Sequence, residues 1–242
     1  GNGKLAVRAG SGVTYERIPI VIATAAVNPP FVNSITLYNG NWDDPLGGTA
    51  SEFPVAVGGT RLNRVASAMY NWNFGVQRQL PFGSLLDVNY VSTQGRRLLR
   101  TPNINQVSPA EQYPNRSLNV NAIRPYQGYT NINLQENSAS SNYHGLQVGV
   151  TRRYASTFTY SVAYTWSKVL TDASAIGEGV ENLLNYRAER SHATFDRNHI
   201  LVFSYVYKLP FFRRGGGAMR RVLGGWDLSG VTQLQSGAWM TP

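Results

Sequence analysis

The segment from Phe158 to Ser167 constrains the fold of this chain more than any other. Large apolar residues alternate there with small or polar ones, and the apolar positions are Phe158, Tyr160, Val162, Tyr164 and Trp166. A two-residue period predicts a β-strand with one apolar and one polar face. About ten residues suit a tilted strand that crosses a bilayer, with Trp166 near the interface. A soluble antiparallel sheet alternates in the same way, so the rest of the chain must decide.

The composition favours strands and loops over helices. Charged residues make up 14% of the 242 residues, against about 25% in an average soluble domain. Aromatic residues make up 12%, and there is no cysteine, which excludes disulfides and thiolate metal sites. The longest apolar stretch, Ile18 to Val27, is too short for a transmembrane helix. Residence in a membrane would therefore require a barrel of strands.

Seven segments alternate well enough to predict strands. They are Lys4–Glu16, Tyr70–Leu80, Ser84–Gln94, Asn142–Arg153, Thr157–Lys168, His199–Leu209 and Trp226–Ser236. Short connections are predicted at Pro81–Gly83 and Tyr154–Ser156, with a somewhat longer basic turn from Pro210 to Leu223. Long polar stretches, Arg17–Met69, Gly95–Ser141 and Val169–Asn198, separate them. Alternating long and short connections are typical of an outer-membrane barrel, with long extracellular loops and short periplasmic turns.

The segment from Tyr129 to Glu136 is also strand-like, but a further crossing there would break the alternation of loop lengths. It is therefore expected to extend a strand above the membrane or to form a rim hairpin with the strand that starts at Asn142. Seven crossings are too few to close a barrel. The polar inner positions also require water or a plug behind them. We therefore expect residues 1–242 to form one part of a wider barrel, cut from a longer protein.

Several runs resemble the barrel of TonB-dependent receptors, and most closely the Oar-like subgroup with an N-terminal carboxypeptidase-regulatory-like domain. These runs are Gly3–Gly10, Asn73–Pro81, Asn89–Arg96, Ser141–Gln147, Tyr164–Lys168, Phe195–His199 and Leu223–Trp226. The resemblance covers most of the chain except Pro19–Arg64. It implies a 22-stranded barrel of the bacterial outer membrane with a plug in its lumen. It also implies uptake of a scarce solute, powered through the TonB–ExbB–ExbD complex. The plug, the TonB box and the N-terminal domain are absent from this sequence.

Other chemistry is weighed against simpler explanations. His192 and His199 flank Asp196, but the spacing fits no compact metal-ligand pattern, so no metal or other cofactor is predicted. The acidic residues Glu178, Glu181 and Glu189 form no catalytic constellation, so no enzyme is predicted. Gly215–Gly217 lies between arginine pairs without the rest of a phosphate-binding loop, and a basic turn near lipid phosphates explains it.

The formal net charge is +9. No recognition helix or stacking motif accompanies it, so nucleic acid is not the predicted partner. Instead, the predicted partners are outer-membrane lipid and an unknown small solute, with an anionic one favoured.

Aromatic residues provide the candidate sites. Trp72, Trp166 and Trp226 are predicted at the membrane interfaces. Loop residues are candidates for ligand contact, although rim packing explains them equally well: Trp42, Tyr113, Tyr126, Tyr129 and Tyr186. The leading functional hypothesis is therefore a receptor barrel for a siderophore, glycan or peptide. The alternatives are a plugless porin or adhesin barrel, and a soluble glycan-binding β-sandwich.

Overall fold

The computed structural model describes residues 4–16, 36–38, 41–44, 49–51, 54–153, 157–175, 178–210 and 225–239. The strands are β1 (Leu5–Tyr15), β2 (Thr36–Tyr38), β3 (Thr49–Ser51), β4 (Val55–Thr60), β5 (Ala68–Leu80), β6 (Ser84–Arg100), β7 (Tyr129–Arg152), β8 (Phe158–Thr171), β9 (Ser191–His192), β10 (His199–Lys208) and β11 (Asp227–Gln235). One short helix, α1 (Pro109–Gln112), lies between β6 and β7, with a 3-10 turn at Val120–Ala122. No helix in these described ranges is long and apolar enough to cross a membrane.

The seven predicted strands are confirmed as the seven long strands of one sheet. They lie in the order β1-β5-β6-β7-β8-β10-β11, and each pairs antiparallel with its neighbours. The sheet is open, since β1 and β11 form its two edges in the described part of the chain. The predicted tight turn is confirmed at Pro81–Gly83, where Phe82 and Gly83 have φ angles of 61° and 70°. The turn at Tyr154–Ser156 and the basic turn after Pro210, with Gly215–Gly217, lie outside the described residues.

Two strands continue well beyond their predicted membrane crossings at the end of the sheet where the long loops lie, here called the loop end. β6 continues to Arg100 across a bulge at Gly95–Leu98, where Arg97 has a φ of 55°. β7 is one continuous strand of 24 residues from Tyr129 to Arg152. The prediction of an extension from Tyr129 is therefore confirmed, and the rim-hairpin alternative is wrong. Arg100 pairs with Glu136 at the top of this extension.

The loop end carries two additional strands of the same sheet. β4 pairs in parallel with the first part of β7, from Val55 opposite Tyr129 to Thr60 opposite Gln135. β9 adds a short pairing to the end of β8. Most of the buried side chains lie near this end, and they include Ala68, Val107, Ala139 and Ala193. The compact part of the structure is thus the loop end rather than the middle of the sheet.

The register separates two faces, because cross-strand partners project from the same side of a sheet. One row across all seven strands reads Val7, Val76, Val88, Val148, Tyr164, Leu201 and Leu234. The adjacent row on the opposite face reads Arg8, Gly75, Asn89, Gln147, Thr165, Ile200 and Gln235. The sheet therefore has one apolar face and one face that is mainly polar or small.

The polar face is held by side-chain hydrogen bonds between strands. Arg8 Nη2 on β1 donates to Gln77 Oε1 on β5 at 3.2 Å, and Gln77 Nε2 donates to Asp87 Oδ2 on β6 at 3.5 Å. The Asn89 side chain covers Gly75, its partner on β5. A Cβ added to Gly75 would come within 2.1 Å of Asn89 Oδ1. A side chain at position 75 would therefore force the Asn89 amide to turn away.

Candidate functional site

Asn105 organises the connection between β6 and β7. Its side chain is fully buried. Its Nδ2 donates to the carbonyl oxygens of Tyr126, Tyr129 and Thr130 at 2.9–3.0 Å, and its Oδ1 accepts from the Tyr126 N–H at 2.7 Å. One amide thus satisfies four backbone groups and fixes the return of the loop into β7. The Tyr126 and Tyr129 side chains remain exposed at the loop end.

A buried guanidinium joins the top of the sheet to the loop between β8 and β10. Arg100 is 0% exposed. Its Nη2 donates to Asp172 Oδ1 at 2.9 Å and also to the Asp172 carbonyl oxygen. The guanidinium carbon lies 4.7 Å from the centre of the Tyr186 ring. A buried charge with these partners is costly to disturb, because removal of one partner leaves the other charge uncompensated.

Tyr186 and Glu136 extend this cluster. Tyr186 Oη donates to Glu136 Oε1 at 3.2 Å, and Arg61 Nε lies 3.2 Å from Glu136 Oε2. Burial raises the pKa of the Tyr186 phenol, and the negative charge of Glu136, which also accepts the phenol's hydrogen bond, raises it further. Tyr186 therefore remains a neutral hydrogen-bond donor at physiological pH.

A cavity of about 360 Å³ opens on the polar face at the loop end. Its walls are mainly apolar and include Met69, Leu98, Leu99, Val169 and Phe195. Polar groups of Glu16, Arg64, Asn137 and Ser141 also line it. An apolar lining with a few convergent polar groups is typical of small-molecule sites.

The polar wall of this cavity is held in place by its own hydrogen bonds. Arg64 Nε donates to Asn137 Oδ1 at 2.7 Å, and Asn137 Nδ2 donates to Ser67 Oγ at 3.0 Å. The site can therefore offer an apolar surface and a fixed cation to one ligand.

An acidic cavity of about 530 Å³ adjoins the first and shares Thr171, Ala173 and Ser174 with it. Its carboxylates serve the loop backbone: Glu178 accepts from the N–H groups of Ser174 and Ala175, and Glu189 from those of Glu181 and Asn182. These acids thus have structural roles. In the described residues, no group of three His, Asp or Glu side chains could hold a metal ion.

The family of outer membrane beta barrel domains matches residues 1–242. The chain belongs to this family. Its apolar face is therefore the lipid-facing side of a barrel, its polar face lines the lumen, and the loop end is extracellular. The protein resides in the bacterial outer membrane. The family is not a class of enzymes, and the alternative of a soluble β-sandwich is wrong.

Solved structures resemble the fold of this barrel segment. The outer membrane transporter YddB from Escherichia coli aligns with a TM-score of 0.53 and 11% identity, over 85% of this chain and 24% of that chain. The siderophore receptor PirA from Pseudomonas aeruginosa aligns with a TM-score of 0.40 and 14% identity, over 96% and 40%. A variant of the ferric enterobactin receptor PfeA from the same organism gives 0.41 and 13%, over 96% and 30%. The last two scores support no structural argument. No curated protein matches the chain.

Two of the predicted interface aromatics lie toward the extracellular end of the barrel segment. Trp72 is opposite Ser92, which in turn is opposite His144, and Trp166 is opposite Leu146, one row closer to the turns. Trp226 lies at the opposite, periplasmic end, where its carbonyl oxygen accepts from the Leu209 N–H at 3.0 Å. These levels agree with two aromatic girdles. Interface contact by the three residues stays a prediction.

The predicted ligand-contact residues do not form one group. Asn105 brings the backbones of Tyr126 and Tyr129 together, whereas Tyr186 is tied to Arg100 and Glu136. Tyr113 is exposed, with the Arg116 guanidinium 5.6 Å from its ring centre. Trp42 is 97% exposed. A role of these five in ligand binding stays a prediction.

The histidines near Asp196 are separated in the barrel segment. His192 Nδ1 lies 2.7 Å from Asp196 Oδ2, and its ring stacks on Trp239 at 3.8 Å. His199 instead lies opposite Trp166, and its Nδ1 is 2.8 Å from Tyr164 Oη. The flanking pair in the sequence thus serves two different contacts.

Sequence reasoning missed Asn105, the Arg100 cluster and the cavity. Arg100 and Asp172 are 72 residues apart, and Arg64 and Asn137 are 73 apart. No local spacing signals such pairs. The sequence offered only runs of polar residues in the long loops. Such runs do not predict which of these residues contact one another.

Proposed function

We propose that this chain forms part of the barrel of a TonB-dependent receptor of the Oar-like subgroup, which takes up a scarce solute through the outer membrane. In the complete protein, a plug fills the lumen and an N-terminal carboxypeptidase-regulatory-like domain precedes it. Energy comes from the TonB–ExbB–ExbD complex, which acts on the plug. The likeness in fold to an outer membrane transporter supports this proposal.

The observation that carries the proposal is the contrast between the two ends of the sheet. The periplasmic end has a three-residue turn at Pro81–Gly83, whereas the extracellular end carries strand extensions, the added strand β4 and a lumen-facing cavity. A passive pore needs only an open lumen, but a receptor needs an ordered recognition surface. Leu98 and Leu99 offer this surface to an apolar group of the solute, and Arg64 to an anionic one.

The test is solute uptake by cells that produce the full-length protein, in the presence and absence of TonB. Uptake of the growth-supporting siderophore, glycan or peptide should cease without TonB. The purified full-length protein should conduct no solute in liposomes, because the plug closes the lumen. A protein that conducts in liposomes and supports uptake without TonB would instead be a porin.

The site is tested in the same assay. Arg64→Gln should lower uptake because the cavity loses its fixed cation. Arg78→Gln, on the lipid-facing side near the periplasmic turns, is the matched control and should leave uptake unchanged. Equal losses in both variants would contradict the role of Arg64.

A further inference from the structure

The lipid-facing side of the sheet has an unbalanced charge. Among the described residues of the seven long strands, none that the register places on this face between the periplasmic turns and the level of Asn142 is Asp or Glu. Its charged residues lie toward the two ends of the apolar band, with Arg78 and Arg152 near the periplasmic turns and Lys168 at the extracellular side. From His144 to Arg152, β7 rises about 26 Å, or about 20 Å across the bilayer at a tilt of about 40°. The cations thus lie at the two boundaries of the hydrocarbon layer.

Four residues form a basic patch at the extracellular edge of this face, here called the rim patch: Arg96, His144, Lys168 and Arg190. Lys168 lies directly opposite His144 in the register of β7 and β8. Arg190 reaches the next outward position of β7, where its Nη2 donates to the side-chain oxygen of Asn142 at 3.2 Å in the hydrogen-bonded orientation of that amide. Arg96 lies opposite Ala68, two residues beyond Gln94 on β6. All four side chains are exposed.

The rim patch rests on aromatic residues that hold its imidazole in place. His144 Nδ1 lies 2.7 Å from Tyr90 Oη and 3.0 Å from Ser92 Oγ. The edge of the Trp72 ring packs against the imidazole at 6.4 Å between centres. The patch therefore lies at the level where interfacial aromatic residues meet lipid headgroups.

Three carboxylates near the extracellular end are engaged elsewhere. Asp172 pairs with Arg100, Asp196 pairs with His192, and Glu178 accepts from loop N–H groups. They leave the positive charge of Lys168 and Arg190 available to an external anion. Phosphate groups bind strongly to such donors through charge-assisted hydrogen bonds.

We propose that the rim patch binds the phosphate groups of lipopolysaccharide in the outer leaflet. Lys168 and Arg190 supply the charge, His144 and Arg96 supply further donors, and Trp72 and Trp166 contact the acyl chains below. Clusters of basic residues next to a membrane-spanning surface recognise anionic headgroups in this way. This binding depends on the outer-membrane location and not on whether the barrel is a receptor or a porin.

The experiment uses the full-length protein in detergent, with diphosphoryl lipid A and its dephosphorylated form as probes, and native mass spectrometry to count bound lipid. The variant Lys168→Gln/Arg190→Gln removes two charges from the rim patch. The control Arg8→Gln/Lys208→Gln removes two charges from the lumen-facing side of the same sheet. Heat-dependent mobility on gels verifies that both variants fold.

The protein should prefer the diphosphoryl form, and the rim-patch variant should bind it about thirtyfold more weakly, because each cation near anionic headgroups contributes about fivefold. The control should bind as the unmodified protein does. Equal binding of both lipid forms would overturn the proposal, as would unchanged binding in the rim-patch variant. Displacement of the lipid by inorganic phosphate would indicate a free-phosphate site and would also overturn it.

Discussion

Tyr186 shows how one side chain couples the loops to the sheet. Its phenol donates to Glu136 on β7 while its ring lies beneath the Arg100 guanidinium at the end of β6. Burial and the adjacent Glu136 carboxylate raise the pKa of the phenol, so the folded state favours its neutral form. The phenol therefore contributes stability that is complete below the unfolded-state pKa of about 10. That stability is lost as the pH rises through the higher folded-state pKa.

Tyr186→Phe should thus remove a tyrosine that ionises at a higher pH than an ordinary tyrosine. The difference in ultraviolet tyrosinate absorbance between the unmodified protein and the variant isolates this phenol from the other tyrosines. In the folded proteins, the difference curve should rise at higher pH than in the same pair unfolded in guanidinium. Coincident folded and unfolded curves would contradict the assigned environment of Tyr186.

The connection between β6 and β7 is an ordered element because the hydrogen bonds of Asn105 fix it to the start of β7. Asn105→Ala would leave three carbonyl oxygens and one N–H group without this partner. The expected loss is about 1–3 kcal/mol, the cost of unsatisfied buried groups. Because the bonds join only this loop and the first residues of β7, hydrogen exchange should increase over residues 101–135 while the rest of the seven-stranded sheet stays protected.

Asn115→Ala is the matched control, since the Asn115 side chain donates one hydrogen bond, to the Glu111 carbonyl oxygen, at an exposed place in the same loop. Its exchange should match that of the unmodified protein outside the first turns of the loop. Equal protection of residues 101–135 in Asn105→Ala and the control would rule out the organising role of Asn105.

The assignment of the two faces belongs to the whole molecule and can be tested with neighbouring residues. Val148 projects toward lipid near the middle of the apolar band, and Gln147 projects toward the lumen. Val148→Arg should destabilise the barrel by about 2–4 kcal/mol, the cost of a cation near the bilayer midplane. Gln147→Arg should cost far less because lumen side chains meet water or polar groups.

Unfolding of the full-length protein in lipid bilayers by denaturant measures both free energies. A larger loss for Gln147→Arg than for Val148→Arg would reverse the assignment of the faces. The assignment affects every functional argument, because the cavity opens on the lumen side and the rim patch on the lipid side.

The amino-acid sequence by itself determined the seven long strands, their two faces and the turn at Pro81–Gly83. Contact with lipid on one side imposes a two-residue period, so residues such as Val148 and Val162 identify their strands locally. The extension of β6 to Arg100 escaped prediction because neither face of the strand contacts lipid above the membrane, so no apolar period is required there.

Only the tertiary structure decided which loop residues meet. Arg100 with Asp172, Asn105 with the carbonyls before and within β7, and the walls of the cavity all join positions that are distant in the chain. The pairing of β4 with β7 was equally hidden, because a parallel contact between distant segments leaves no local pattern. The alternation of apolar and polar residues along a strand follows from whether each residue faces lipid or the lumen. These contacts instead depend on how the folded loops pack against one another.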